Sequence, residues 1–312
     1  MKKTLIALAA LAAFGTASAQ VILAGSASVA TQKNLAGTSN GLAMTDNSLY
    51  VSATEDLGGG MSLKAAFTIE NDTNRGAGFT RADQSFAIVT PAAILALANA
   101  RSGGAQGASM IAPVNLADDQ WSSNVIKREA VDAASITFPM GMFGAKLSYV
   151  EGKDVAGAAA SGATAPGSSS YALGGTFAQG PLSLAANFTS TTFNDAITAA
   201  LTPSGSTRNT STDFSVKYDA GIVAVALGYD SPRRGKPVAD GAAMLLGVKA
   251  TFGQLSAGIN YGKRDAASFM QLGAQYDLSK RTNVNASFGN DNQGTAGAPV
   301  NDQYRLSLNH SF

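Results

Sequence analysis

The sequence predicts a sixteen-stranded antiparallel transmembrane β-barrel, and three observations support this fold class. Segments of about ten residues alternate between apolar and small polar side chains, which is typical of strands with one apolar and one wet face. The connections between these segments alternate between long polar loops and short turns. After residue 20 there is no run of about 18 apolar residues, so a membrane-spanning helix is excluded and only a closed barrel could cross a bilayer.

The alternation is clearest in the last ten residues of the chain. One face of this segment carries Tyr304, Leu306, Leu308, His310 and Phe312. The other face carries Gln303, Arg305, Ser307, Asn309 and Ser311. Residues 282–290 and 270–276 repeat the pattern, so the end of the chain predicts three consecutive strands.

The first nineteen residues have the composition of a secretory signal peptide. Lys2 and Lys3 form a basic start, residues 4–15 are mostly apolar, and Ala17-Ser18-Ala19 matches a small-residue cleavage site. We therefore expect a signal peptide at 1–19 and one barrel domain at 20–312. The mature chain would have 293 residues (312 − 19), with 20 basic residues (22 − 2) against 21 acidic ones. This balance gives no support to nucleic-acid binding.

Sixteen segments follow the strand pattern: 21–30, 47–55, 62–70, 79–89, 91–101, 127–138, 145–151, 171–177, 182–193, 210–218, 222–230, 242–252, 255–263, 270–276, 282–290 and 303–312. The polar stretch 31–45 is expected to be a loop. The segment 91–101, PAAILALANAR, is ambiguous, because an initial proline followed by alanine and leucine also favours a helix. We interpret 91–101 as a strand, because the barrel needs an even number of strands. Both faces of this segment are apolar, which suits a wall buried against a neighbouring subunit.

Connections after odd-numbered strands are usually long, and those after even-numbered strands are short. One rim of the barrel should therefore carry long loops and the other tight turns, as in outer-membrane barrels with extracellular loops and periplasmic turns. A soluble β-sandwich gives no reason for this asymmetry. The third long connection, 102–126, has about 25 residues, and ordered loops of that length are usually functional.

Several motifs resemble those of the general trimeric porins of Gram-negative bacteria, of the proteobacterial type. They are TEDLGGG at 54–60, KAAFTIE at 64–70, Arg81 in the following strand, LGAQYDLSKRT at 272–282 and the terminal aromatic strand. The resemblance implies a homotrimer in the outer membrane of a Gram-negative bacterium. It also implies a water-filled channel for passive diffusion of small hydrophilic solutes and ions, narrowed by an inward-folded third loop.

The resemblance further implies a constriction in which acidic loop residues face basic wall residues. The loop candidates are Asp118 and Asp119, and the wall candidates are Lys64, Arg81 and Arg128. Opposed charges would orient water and polar solutes, although all five could equally be ordinary solvated charges. Three features depart from the family pattern. Ser48 stands where relatives usually have arginine, the turn after the fourth strand lacks G-x-F-G, and the strand that leaves the third loop, REAVDAASITF at 128–138, lacks the usual asparagine before serine. The terminal aromatic residue, Phe312, is a candidate assembly signal.

The sequence predicts no enzyme, no cofactor and no metal site. It has no cysteine, and its one histidine, His310, lies on the apolar face of the last strand, where a place near the lipid headgroups is expected. We expect a diffusion channel whose partners are its own copies in a homotrimer, outer-membrane lipid, and small hydrophilic solutes and ions. Two alternatives stay open: a substrate-specific channel of the same fold, and a non-conducting barrel that acts as an adhesin or structural anchor.

Overall fold

The computed structural model describes residues 20–33, 40–71, 80–102, 105–116, 125, 129–151, 169–192, 208–231, 241–292 and 301–312. Sixteen strands pair antiparallel in chain order, and pairing of the last with the first closes the barrel. The predicted fold class is confirmed. The strands are β1 Gln20–Lys33, β2 Gly41–Gly58, β3 Met61–Asn71, β4 Thr80–Val89, β5 Ile94–Ser102, β6 Glu129–Met140, β7 Phe143–Glu151, β8 Ser169–Gln179, β9 Leu182–Thr192, β10 Arg208–Asp219, β11 Val223–Asp230, β12 Ala243–Phe252, β13 Leu255–Arg264, β14 Ala267–Asp277, β15 Thr282–Asn292 and β16 Asn301–Ser311.

Most of the ambiguous segment 91–101 is a strand, β5, which begins at Ile94, as the even strand count required. Pro91 lies in the turn before β5, where Thr90 Oγ1 accepts a hydrogen bond of 2.9 Å from the Ala93 amide. A proline in a turn costs no strand hydrogen bond. β5 then pairs with β4 on one side and β6 on the other.

Most observed strand ends differ from the predicted ones by one to three residues, and two of the predicted connections are misplaced. β1 extends to Lys33 and β2 begins at Gly41, so most of the stretch 31–45 is strand and not loop. The strands pair here through Ala30 with Ala43 and Thr31 with Leu42. The irregularity at Asp46, which has a φ of 48°, puts the outward Leu42 and Met44 out of phase with the alternation of residues 47–55. The turn predicted at 139–141 lies at Gly141-Met142 instead, with Gly141 at a φ of 69°.

The two ends of the barrel differ as predicted. The connections at one end, called the turn end here, are all short: 59–60, 90–93, 141–142, 180–181, 220–222, 253–254 and 278–281. At the other end, the loop end, most connections are longer. The exception is the two-residue turn between β13 and β14, in which Asp265 has a φ of 52°.

The outward face of the barrel is apolar and the inward face polar. On β16, the outward Tyr304, Leu306 and Leu308 are 49%, 49% and 43% exposed, whereas the inward Gln303 and Arg305 are 1% and 2% exposed. Large apolar side chains are exposed around the whole circumference. A surface of this kind fits acyl chains and not water.

The seam between the first and last strands includes the terminal residue. The amide of Gly25 donates a hydrogen bond of 3.1 Å to the carbonyl oxygen of Phe312, and the Phe312 amide donates one of 3.0 Å to the Gly25 carbonyl. The Phe312 ring lies over Gly25, where a β-carbon would be 2.5 Å from Cζ. Glycine is therefore required there for the ring to cover the seam.

Candidate functional site

The third long connection, between β5 and β6, enters the barrel. Its short 3-10 helix, Ala105–Ser109, contacts β9 to β12, and the residues that follow cross the inside of β12 to β16. We call the described stretch 105–116 the inner segment. It carries no ionisable side chain.

The barrel wall beneath the inner segment has glycines, and hence no side chains, at four positions on four neighbouring strands: Gly247, Gly258, Gly273 and Gly289. A β-carbon on Gly247 would lie 2.0 Å from the carbonyl oxygen of Ser109, and one on Gly273 would lie 2.3 Å from that of Pro113. Only glycine allows two backbones to approach this closely. These strands therefore form a groove in which the inner segment lies.

Side-chain amides of the wall hydrogen-bond the backbone of the inner segment. The Ala112 amide donates to Asn260 Oδ1 at 3.0 Å, and Asn285 Nδ2 donates to the carbonyl oxygen of Pro113 at 2.8 Å. Both asparagines are buried. Because the segment has no secondary structure here, these side chains replace the missing backbone partners.

Asn115 connects the inner segment to a buried arginine. Its amide donates to Ser287 Oγ at 2.8 Å, and its Oδ1 accepts from Arg305 Nη1 at 3.1 Å. Arg305 Nη2 contacts Thr45 and the carboxylate of Asp46, both on β2. Arg305 therefore joins the inner segment, β16 and β2 in one charged network.

Both sides of the third connection are attached to the wall. The amide of Ala105 donates to the buried carboxylate of Asp213 on β10. Arg264, 3% exposed, donates from Nε to the carbonyl oxygen of Val125 at 3.0 Å and forms an ion pair with Asp230. Val125 also packs in an apolar cluster with Ala243, Leu245, Ala267 and Phe269.

Charged side chains face the open part of the interior from other positions: Lys64, Glu70, Asp83, Lys146, Lys217, Asp219 and Lys249. Lys217 Nζ lies 3.2 Å from the Asp219 carboxylate. Lys64 and Lys146 are exposed, in contrast to Arg305 on the packed wall. The interior thus has a packed side, under the inner segment, and an open side centred on β3 to β8. Nearer the turn end, the open space continues past Lys217 on β10 and Lys249 on β12, which are not buried.

Of the five predicted constriction residues, one has a described side chain. Lys64 lies on β3, pairs with Thr54 and Ala87, and points into the open side. Arg81 lies on β4 opposite Ile69, and its side chain is outside the described part of the structure. Asp118, Asp119 and Arg128 also lie outside it. The proposed acid–base constriction therefore stays a prediction.

Asn115 and Arg305 are functional residues that no motif in the sequence indicated. The sequence indicated one property of Arg305: it lies on the polar face of the last strand, which faces the lumen. No pattern in the sequence indicated a role for Asn115, because its hydrogen-bond partners are 172 and 190 residues distant in the chain.

The described residues include no cluster of side chains typical of a metal site. No group of three or more histidine, cysteine, aspartate or glutamate side chains in these ranges could hold a metal ion. His310 is exposed on the outer face, with Nδ1 3.0 Å from Thr282 Oγ1. In the same part of the chain, no helix is long and apolar enough to span a membrane.

Known proteins share this architecture. A model of the Gram-negative porin family matches residues 5–296. An anion-selective porin from Comamonas acidovorans superposes with a TM-score of 0.68 at 19% identity, covering 95% of this chain and 100% of that one. A multiply substituted mutant of the Rh. blastica porin gives 0.64 at 14% identity, with 94% and 100% covered. A loop-deletion mutant of OmpT, an outer membrane protein of Vibrio cholerae, gives 0.67 at 11% identity, with 94% and 99% covered.

A comparison with curated protein sequences finds no match. The three structural likenesses are all below 25% identity and establish the fold. The family match extends over nearly the whole chain and establishes the membership that the sequence motifs suggested. This chain belongs to the Gram-negative porin family and is an outer-membrane channel for passive diffusion.

Proposed function

We propose that small hydrophilic solutes and ions cross this porin along the open side of its interior, between the inner segment and the wall of β3 to β8. The observation that carries this proposal is the asymmetry of the inward face. Inward side chains under the inner segment are buried, whereas Lys64, Asp83 and Lys146 on the opposite side are exposed. The third connection then limits the size of the solutes that pass.

Planar-bilayer recording with purified protein tests this function. We expect a conductance that rises in proportion to salt concentration, because ions cross in water. Absence of conductance would favour the non-conducting adhesin or anchor. Liposome swelling separates the other alternative, since a rate that saturates with one sugar or organic acid would indicate a substrate-specific channel.

The predicted constriction is part of the proposal. Asp118 and Asp119 belong to the connection that enters the barrel, and Lys64 faces the open side, which supports opposed charges across the lumen. Arg81 and Arg128 complete the basic set. Reversal potentials in a salt gradient test it: Arg81→Ala should raise the relative cation permeability, and the pair Asp118→Asn with Asp119→Asn should lower it. No change in either variant would show that these side chains lie away from the ion path.

We also propose a homotrimer that buries the outer wall around β4 to β7. A recess of about 910 Å³ on this wall contains Gln84, Asn99, Asp132 and Glu151, and Asn99 Nδ2 donates to Asp132 Oδ1 at 2.6 Å. Such groups are costly against acyl chains, and a neighbouring copy could hydrogen-bond them. The mass of the detergent-extracted particle tests the trimer. If the wall is correct, Asp132→Arg should give monomers that still conduct.

No catalytic role is proposed, since the family and fold are those of channels. We infer that Phe312 acts as the assembly signal, supported by its position at the barrel seam. Replacing His310 by alanine should leave conductance unchanged, because its side chain faces outward.

A further inference from the structure

Three lysines face the open interior from β7, β10 and β12. Lys146 alternates with the outward Leu147, which is 49% exposed, and Lys217 alternates with the outward Tyr218, which is 54% exposed. Lys249 shares the inward face of β12 with the buried Leu245. None of the three is buried, so each can act on ions in the lumen.

The register places these lysines at one level of the barrel. The hydrogen-bonded row through Lys146 passes from the turn end of β7 to Asp213 on β10 and to Ala243 at the loop end of β12. Because the strands are tilted by about 40° to the barrel axis, such a row moves towards the loop end by about 1.2 residues for each strand it crosses. The shift is therefore about four residues from β7 to β10 and about six residues from β7 to β12. Lys217 lies four residues (217 − 213) and Lys249 six (249 − 243) nearer the turn end than the row. These displacements towards the turn end equal the shift of the row towards the loop end, so the three lysines lie at about the same height along the barrel axis.

The opposite wall at this level is mostly uncharged. A nearby carboxylate, Asp277 on the inward face of β14, lies about two residues nearer the turn end and accepts a hydrogen bond of 2.8 Å from Gln275 Nε2. The row through Lys249 reaches Arg305 on β16, and Asn309 lies four residues (309 − 305) nearer the turn end, within about one residue of the lysine level. Asn309 lines a recess of about 310 Å³ with Ser26, Gln275 and Asn283, which are also uncharged. Asp46 borders this recess but forms an ion pair with Arg305.

The lysines are only partly compensated by carboxylates. Asp219 lies 3.2 Å from Lys217 and also interacts electrostatically with Lys249, although no carboxylate of the described residues lies within 4.0 Å of Lys146 or Lys249. Glu70 and Asp83 face the interior from β3 and β4 about two to three residues nearer the loop end. Near this level, three lysines face two carboxylates, Asp219 and Asp277, which leaves an excess of one positive charge (3 − 2).

We propose that this lysine arc, Lys146, Lys217 and Lys249, makes the channel prefer small anions such as chloride, carboxylates and phosphate. The inference rests on the proposed diffusion function and specifies its solute class. One positive charge about 8 Å from an ion in water, screened at about 0.1 M salt, changes the anion-to-cation permeability ratio about 2.2-fold. Because the two factors multiply, Lys146 and Lys249 together account for about fivefold (about 2.2 × 2.2).

The test compares reversal potentials of the full chain in gradients of potassium chloride, potassium acetate and potassium phosphate. We expect the unaltered protein to prefer the anion in each salt, and Lys146→Gln with Lys249→Gln to lower that preference about fivefold. The control Lys33→Gln with Lys263→Gln removes two lysines of the outer face and should change nothing. Lys146→Arg with Lys249→Arg keeps the charge and should retain the preference.

Separate results would overturn the inference and the proposed function. If the unaltered protein conducts but prefers cations, or if the double glutamine variant conducts with its preference unchanged, the lysine arc does not select anions. If the unaltered protein does not conduct at all, the diffusion function itself fails. The single variants Lys146→Gln and Lys249→Gln, each expected to lower the ratio about twofold, give the same test if the double variant does not fold.

Discussion

Replacing Gly273 by alanine should displace the inner segment. A β-carbon at Gly273 would lie 2.3 Å from the carbonyl oxygen of Pro113 and 3.0 Å from Cα of Val114. These are backbone atoms, so no side chain can rotate away. Because ordinary contact begins near 3.4 Å, the segment must move about 1 Å into the lumen (3.4 − 2.3 = 1.1).

The cost follows from the contacts that this movement breaks. The hydrogen bond from Asn285 Nδ2 to Pro113, 2.8 Å long, would open beyond bonding distance and leave a buried amide unpaired, at about 1–3 kcal/mol. Overpacking adds about 1 kcal/mol or more. We expect Gly273→Ala to lower the free energy of unfolding by about 2–4 kcal/mol and to reduce conductance, because the segment moves towards the ion path.

Single-channel conductance and urea denaturation in detergent measure the two effects. Gly175→Ala on β8 is the matched control, since nothing lies within 4 Å of a β-carbon at Gly175. Wild-type conductance together with wild-type stability in Gly273→Ala would refute the close approach of the segment to β14. Equal effects in both variants would show that any strand glycine responds in this way.

Three further predictions concern the anchors and the seam. Arg264→Met leaves the Asp230 carboxylate, 4% exposed, without its cation, and should lower stability by about 3–5 kcal/mol in denaturant titrations; an unchanged midpoint would contradict the buried ion pair. Asn115→Ala removes the acceptor of Arg305 Nη1 and should increase open-channel current noise, whereas a quiet channel would show that the other contacts hold the segment. Phe312→Ala uncovers Gly25 and should lower the yield of folded barrel on semi-native gels, while Phe312→Tyr should fold normally; equal yields would argue against a role of the ring in assembly.

The strands could be predicted because each residue of a barrel wall faces one of two different environments. Alternation therefore identified β14 to β16 residue by residue, and short turns identified the hairpins. It failed at 31–45, because the irregularity at Asp46 puts the outward Leu42 and Met44 out of phase with the alternation of residues 47–55. A local pattern does not show this shift, and the pairing of β2 with β1 defines the strand end.

The candidate site was less predictable than the fold. Alternation placed Lys64 and Lys146 on the wet face correctly, because that decision is local. Whether a wet-face residue such as Arg305 is packed or open depends on a segment 190 residues distant, which no local pattern encodes. The common level of Lys146, Lys217 and Lys249 likewise depends on strand tilt and register around the cylinder.

The inner segment lies against only half of the barrel interior, and tolerance to substitution should divide accordingly. Positions such as Gln303, Ser307 and Gly289 should behave in a saturation mutagenesis screen like the interior of a soluble protein, accepting few replacements. Inward positions such as Lys146 and Ser85 should accept many replacements and alter permeation instead. A residue's angular position around the channel axis would then largely determine whether its variants lose folding or change transport, except near the turn end, where Lys217 and Lys249 are not buried although their strands contact the inner segment.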